Sequence, residues 1–321
     1  KWSFRIKVSS KDDHIFGMRR FSIQNPRTRR FQSEPLFLEM LREYGILAPR
    51  YFHSQVYVNG DNIGVMAIEE HFSKELLEHN GRKESVIIRR DESRLFGAIE
   101  ELSSSPVSSR LIAFQENKVF RSPELTQYYA IAIGMMRGFL SGRLQASEVF
   151  DVVLMGRYLA LVDVWGADHS LGHNSRFYYN PITAKLEPIG FDANIDEVKG
   201  FTVGKVEGMT DKNNFIFLVY QETLRKLEKD LGNDLYLARY TEMDRAYENE
   251  LRGEFFLKPP PFFNQSSPMF SAMRENVSEM LKTTRREPFI VGHIGECSEL
   301  PFRGWAVNTH TPDETVQISA Y

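Results

Sequence analysis

The chain has 321 residues, 42% hydrophobic and 26% charged, with 40 Lys+Arg against 43 Asp+Glu for a net charge of −3. That balance argues against a general nucleic-acid binder, whose surface would be basic, and no apolar run approaches the ~20 residues of a membrane span. A single cysteine, Cys297, rules out an internal disulfide and a Cys-based metal site, while leaving the compartment open. The sequence begins at Lys1 without a signal-peptide pattern, as expected of a processed product or a domain of something longer. Asn264 and Asn276 head Asn-x-Ser sites, which matter only in a glycosylating host.

In chain order, residues 2–8 alternate apolar and polar as a strand does. After a turn-rich stretch, a second strand is expected over 16–24, ended by Asn25-Pro26. Ser33-Glu34-Pro35 opens a helix with a capping residue, an acid in the first turn and a proline where its missing N–H costs little. Phe37, Met40, Leu41 and Tyr44 share one face of it, and Gly45 marks the stop. Strands over 53–58 and 63–69 flank Asn59-Gly60-Asp61, a strong hairpin signal, and a polar helix follows over 73–80.

From Ser122 the pattern turns helical, with helices expected over 124–141, 146–164, 215–231, 234–252 and 268–285. Short strands at 175–179 and 185–189 interrupt them, Pro259-Pro260-Pro261 marks a loop or kink, and the tail from Phe302 is β-prone. The fold class is therefore α+β. A small β-rich N-lobe with one helix (1–72), a larger mainly helical C-lobe (73–290) and a tail that starts a further β module (291–321) make up a two-lobed, protein-kinase-like architecture. A ligand site is expected in the cleft between such lobes.

The residues with the most chemical content lie in Asp168-His-Ser-Leu-Gly-His-Asn174 and Pro188-Ile-Gly-Phe-Asp192-Ala-Asn194. A carboxylate, an amide and a second carboxylate on two segments split by a hairpin are what phosphoryl transfer uses: one Asp orients a hydroxyl, and an Asn and an Asp hold metal on the nucleotide phosphates. His169 and His173 are weaker ligand candidates, because a hard cation prefers oxygen. Glu34 falls on the apolar stripe of its helix, and a carboxylate turned inward wants a cation. Arg20 on the second strand and Lys7 on the first are both candidates for it. Glu69-Glu70-His71 stands where a hinge would meet a nucleotide base, with Glu70 among the cofactor-binding candidates. Arg19, Arg20, Arg27, Arg29 and Arg30 form a basic run that is as readily a solvated face as a binding patch. Neither Gly-x-Gly-x-x-Gly nor Gly-x-x-x-x-Gly-Lys occurs, so ordinary protein kinases and P-loop enzymes fit poorly.

Several segments together resemble the spore-coat CotH-type atypical kinases over roughly residues 1–290. Gly17-Met-Arg-Arg-Phe-Ser-Ile-Gln-Asn-Pro26, Glu34-Pro-Leu-Phe-Leu-Glu39, Gly45-Ile-Leu-Ala-Pro-Arg50, Val56-Tyr-Val-Asn-Gly60 and Ile68-Glu-Glu70 look like their N-terminal lobe. Gly172-His-Asn174 with Phe191-Asp192 looks like their catalytic segment. The resemblance implies an ATP- and Mg²⁺- (or Mn²⁺-) dependent kinase acting on Ser/Thr of a protein substrate, coat proteins in its spore-forming members. It makes Asp168 the catalytic Asp and Asn174 and Asp192 the metal-holding pair. Two departures stand out: Asn174 follows Asp168 by six positions, one more than in the usual kinase loop, and Asn194 replaces the second Asp of the family's Trp-Asp-x-Asp. A nucleotide-binding or interaction module without catalysis, and a small-molecule kinase, are the alternatives.

Overall fold

The computed structural model describes residues 3–10, 13–90, 110–171, 174–195, 215–252, 254–255, 267–284, 290–293, 305–308 and 315–316. Its contacts divide the chain into two units, Lys1–Met280 and Leu281–Tyr321. The first unit opens on an antiparallel sheet of β1 (Ser3–Lys7), β2 (Arg20–Gln24), β3 (Tyr51–Val58) and β4 (Asp61–Glu70) in the order β1-β2-β4-β3. Asn59 and Gly60 turn the β3–β4 hairpin at positive φ, as its dipeptide signal requires. β2 is shorter than expected because Ile15 and Met18 pair with each other in a local turn. On one face, Met18, Phe21 and Ile68 are buried among Ile6, Val8, Ile23 and Phe52.

Between β2 and β3 the chain makes a 3-10 turn over Pro26–Arg29, capped by the Asn25 side chain on the Arg27 N–H, and then α1 (Ser33–Glu43). Seven of the eight residues from Ser33 to Met40 are buried, so α1 is an interior helix. It lies against α6 (Val152–Trp165): the Phe37 and Trp165 rings meet edge-on at 5.8 Å, and Trp165 Nε1 reaches Met40 Sδ at 3.1 Å.

A second antiparallel sheet, ordered β6-β5-β7-β8, was foreshadowed only in its last two strands, β7 (Arg176–Asn180) and β8 (Lys185–Ile189). β5 (Ile87–Arg90) and β6 (Leu111–Ala113) extend it beyond the hairpin that the sequence pattern predicts. Leu47, Phe72, Leu76, Leu77, Ile87, Tyr178 and Ile189 form a core that ties this sheet to α2 (Lys74–His79).

Around these sheets stand α3 (Glu116–Val119), α4 (Pro123–Leu140), α5 (Ala146–Val149), α6, α7 (Phe215–Leu231), α8 (Asp234–Leu251) and α9 (Pro268–Thr283). The single helix expected over 146–164 is two. Phe150 turns extended to bridge Leu186, and Asp151 caps a new start by accepting the N–H groups of Val153 and Leu154 at 3.0 and 2.9 Å. Asn276 is buried in α9, so that Asn-x-Ser site is closed; Asn264, the Pro259–Pro261 run, His173 and Cys297 lie outside the described residues. The second unit holds an antiparallel sheet of β9 (Ile290–His293), β10 (Trp305–Asn308) and β11 (Thr315–Val316), ordered β11-β10-β9. Among the described residues no helix is long and apolar enough to cross a membrane.

Candidate functional site

The segment carrying Asp192 leaves β8 beneath α1. Gly190 donates its N–H to Leu47 O at 2.8 Å, and a Cβ on it would fall 2.1 Å from Leu41 Cδ1, so this approach to the helix needs glycine. Asp192 and Asn194 follow at φ 54° and 46°, left-handed backbone that Asp and Asn tolerate better than other side chains.

Three residues from the 3-10 turn and the first turn of α1 hold this loop. Arg29 forms an ion pair with an Asp192 carboxylate oxygen. Arg30 Nε donates to Asn194 Oδ1 at 3.0 Å. The Ala193 N–H donates to Glu34 Oε2 at 3.0 Å. Arg30 and Phe31 are themselves left-handed (φ 56° and 59°), and this turns the chain sharply between Arg29 and the helix.

The catalytic-loop segment approaches from the other side. α6 ends on left-handed Gly166, and a 3-10 turn over Asp168–Ser170 follows, anchored by Ser170 Oγ on Ala167 O and by Tyr158 OH on Ser170 O. Asn174, buried, gives its Nδ2 to His169 O at 2.9 Å and to Asp192 Oδ2 at 3.2 Å. His169 Nδ1 lies 3.1 Å from Asp192 O and 3.5 Å from Asp192 Oδ2. The described contacts between this turn and Asp192 therefore run through His169 and Asn174, with Asp168, partly buried, heading the turn.

The electrostatics centre on Arg29. Its Nε stands 3.7 Å from Glu69 Oε1, and its guanidinium stacks 4.8 Å over the Phe191 ring, whose centroid lies 4.9 Å from Arg176. Burial works against the Arg29 charge, but Glu69, Asp192 and Glu34 together hold it more firmly protonated than usual. Burial pushes the Glu34 carboxyl up from 4.5 to about 8, with Arg29 opposing the rise. Burial also raises Glu69, against the pull of Arg29. Three carboxyl groups thus share one guanidinium, and among the described residues the buried Oε1 atoms of Glu34 and Glu69 have no hydrogen-bond partner. Burial holds Glu34 and Glu69 toward their neutral forms.

Of the residues singled out in the sequence, Asn174, Asp192, His169 and Glu34 come together, with Asp168 in the adjoining turn. The cation whose charge acts on Glu34 is Arg29, not Lys7 or Arg20. Those two face each other across β1 and β2, with Lys7 exposed. Glu70 is committed elsewhere: it is buried in an ion pair with Arg50 and also accepts the Arg50 N–H at 3.0 Å. Glu69 was passed over. Alternation along a strand puts Glu69 and Glu70 on opposite faces, a signal that at least one points inward.

The site is thus a buried carboxyl cluster around one guanidinium, beside an Asp–Asn pair on two loops. Residues 1–214 match the family described as CotH kinase protein, and the chain belongs to that family. No curated protein matches it.

Proposed function

We propose that this chain is an atypical kinase that transfers the γ-phosphoryl group of ATP to Ser/Thr of a protein, with Mg²⁺ or Mn²⁺. The supporting observation is Arg29 held among Glu34, Glu69 and Asp192, with Asn174 on the second oxygen of Asp192. In this reading the first sheet with α1 is the small lobe of a kinase-like fold (1–72), and the helices and second sheet form the large one (73–290).

The donor set fits a hard divalent ion. Asn174 spends its Nδ2 on the loop, leaving Oδ1 and the Asp192 carboxylate as oxygen ligands. Among the described residues no group of three acidic or histidine side chains would hold a metal unaided. The ion supplies charge neutralisation on the phosphates. Arg29 binds phosphate oxygens with forked donors, the role that a strand lysine fills in ordinary kinases, and Glu34 and Glu69 orient it. Asp168 receives and orients the acceptor hydroxyl.

Asp192→Ala tests this directly. Arg29 keeps Glu69 as a counter-charge, so the variant stays folded while transfer of label from ATP falls by at least ~100-fold. Retained transfer would refute the assignment. The Arg29 ion pair on Asp192 favours one second reading, a nucleotide-binding module without transfer. Nucleotide-dependent thermal stabilisation with no labelled product would select it.

A further inference from the structure

Asn194 stands where the family pattern has a second Asp, and its amide oxygen is a natural metal-ligand candidate. The geometry gives it another task. Its Oδ1 accepts Arg30 Nε at 3.0 Å, so the atom that would coordinate a cation faces a guanidinium. Both partners sit in left-handed backbone, Arg30 at φ 56° and Asn194 at φ 46°, and neither is glycine. Such conformations are unfavourable for residues other than glycine and persist only where surrounding contacts over-determine them.

The other ties on this loop do not do that work alone: His169 and Asn174 reach Asp192 itself and not Asn194. The Arg29–Asp192 ion pair must yield, at least in part, if Asp192 is to hold a cation and Arg29 a phosphate. The Ala193 N–H bond to Glu34 fixes one peptide and leaves the turn after it unrestrained. The Arg30–Asn194 contact closes the remaining side, and it involves no atom that the cation or the phosphate needs.

We infer that Arg30 and Asn194 form a positioning lock. It holds the Asp192-Ala193-Asn194 turn in shape while Asp192 exchanges Arg29 for a divalent ion, and Asn194 is a loop anchor, not a ligand. The functional part of this inference rests on the kinase reading; the structural part does not. Arg30 and Asn194 are positioning residues acting through Asp192.

The test compares Arg30→Ala, Asn194→Ala, Asn194→Asp and the Arg30→Ala/Asn194→Ala double variant. Two readouts are used: turnover against Mg²⁺ concentration, and hydrogen–deuterium exchange of the peptide containing residues 190–195. Loss of a charge-assisted hydrogen bond predicts a turnover drop of about ten- to a hundredfold in each single variant. The double variant falls no further than either single, half-saturating Mg²⁺ shifts less than twofold, and Asn194→Asp recovers most of the loss through an ion pair to Arg30. Exchange in the loop quickens equally in the two alanine variants. Should Asn194→Ala unfold, Asn194→Gly removes the same side chain without the left-handed penalty.

The lock is overturned if Asn194→Ala raises the Mg²⁺ requirement tenfold or more while Arg30→Ala does not, since that is the signature of a ligand. Losses that multiply in the double variant, or exchange that stays at the wild-type rate, overturn it as well. A wild-type protein that transfers no phosphate defeats the kinase reading, but the exchange measurement still decides whether the lock exists.

Discussion

Glu34→Gln separates what the buried carboxyl does for folding from what it does for function. In the folded chain burial raises Glu34 from 4.5 to about 8. Below pH 4.5 it is protonated whether the chain is folded or not, and it contributes no pH dependence. Between 4.5 and about 8 the folded state holds a proton that the unfolded state has lost, so unfolding releases one and stability falls as pH rises. Above about 8 both states are ionised and the loss is complete. At 1.36 kcal/mol per pH unit, that interval amounts to up to about 5 kcal/mol.

A glutamine has the same shape, still accepts the Ala193 N–H through its carbonyl oxygen, and cannot ionise. Urea unfolding of both proteins at pH 5, 6, 7 and 8, without divalent ions or nucleotide, gives the comparison. The gap is expected to be small at pH 5 and to open in favour of Glu34→Gln at roughly 1 kcal/mol per pH unit. On the kinase reading, transfer activity falls in the variant only above about pH 8, where wild-type Glu34 is ionised and Arg29 loses an orienting anion. Such an exchange of stability for function is typical of buried charge at a site. A gap that stays constant with pH, or a wild type that is the more stable protein at pH 8, would refute the account of Glu34 as a desolvated acid.

Gly190→Ala drives a methyl group to within 2.1 Å of Leu41 Cδ1, where Leu41 is fully buried, and should cost about 1–3 kcal/mol by denaturant titration. Arg50→Ala strands the buried Glu70 carboxylate and should cost about 3–5 kcal/mol, whereas an Arg50→Met/Glu70→Leu double variant recovers most of it. Because Arg50 also donates to Phe16 O and Gly17 O at 2.8 and 3.2 Å, Arg50→Ala should speed proteolysis within the β1–β2 connection. Asp151→Ala removes the acceptor for two N–H groups at the start of α6 and should lower stability by ~1 kcal/mol in thermal unfolding.

The sequence made the Asp–Asn–Asp segments readable because their chemistry is local: the residues lie within short loops on either side of one hairpin, and loop position follows from the strand signals around them. The α7 and α8 helices were equally readable from their apolar periodicity. Two strands of the second sheet escaped notice for the opposite reason. β5 and β6 are four and three residues long, and they gain definition only by pairing with β7 and with each other. A pattern that short carries no period to detect.

Arg29 is legible in the sequence only as one member of a basic run, for a different reason. Strand alternation directs attention to Lys7 and Arg20, cations on regular elements whose faces can be counted. The residue that pairs with Asp192 and Glu69 sits in a 3-10 turn, and its direction depends on two successive non-glycine residues in left-handed backbone, a conformation no residue type announces. Glu69 and Glu70 make the complementary case. Their period of two sends one acid to Arg29 and the other to Arg50, so neighbours in sequence serve separate tasks: one balances the Arg29 guanidinium, and the other holds Arg50, which pins the strand end and the turn at Gly17. A site that gathers its cation from a strained turn, its acids from a strand and a helix, and its oxygen ligands from two loops can tune each part separately. It also keeps one guanidinium shared among three carboxyl groups.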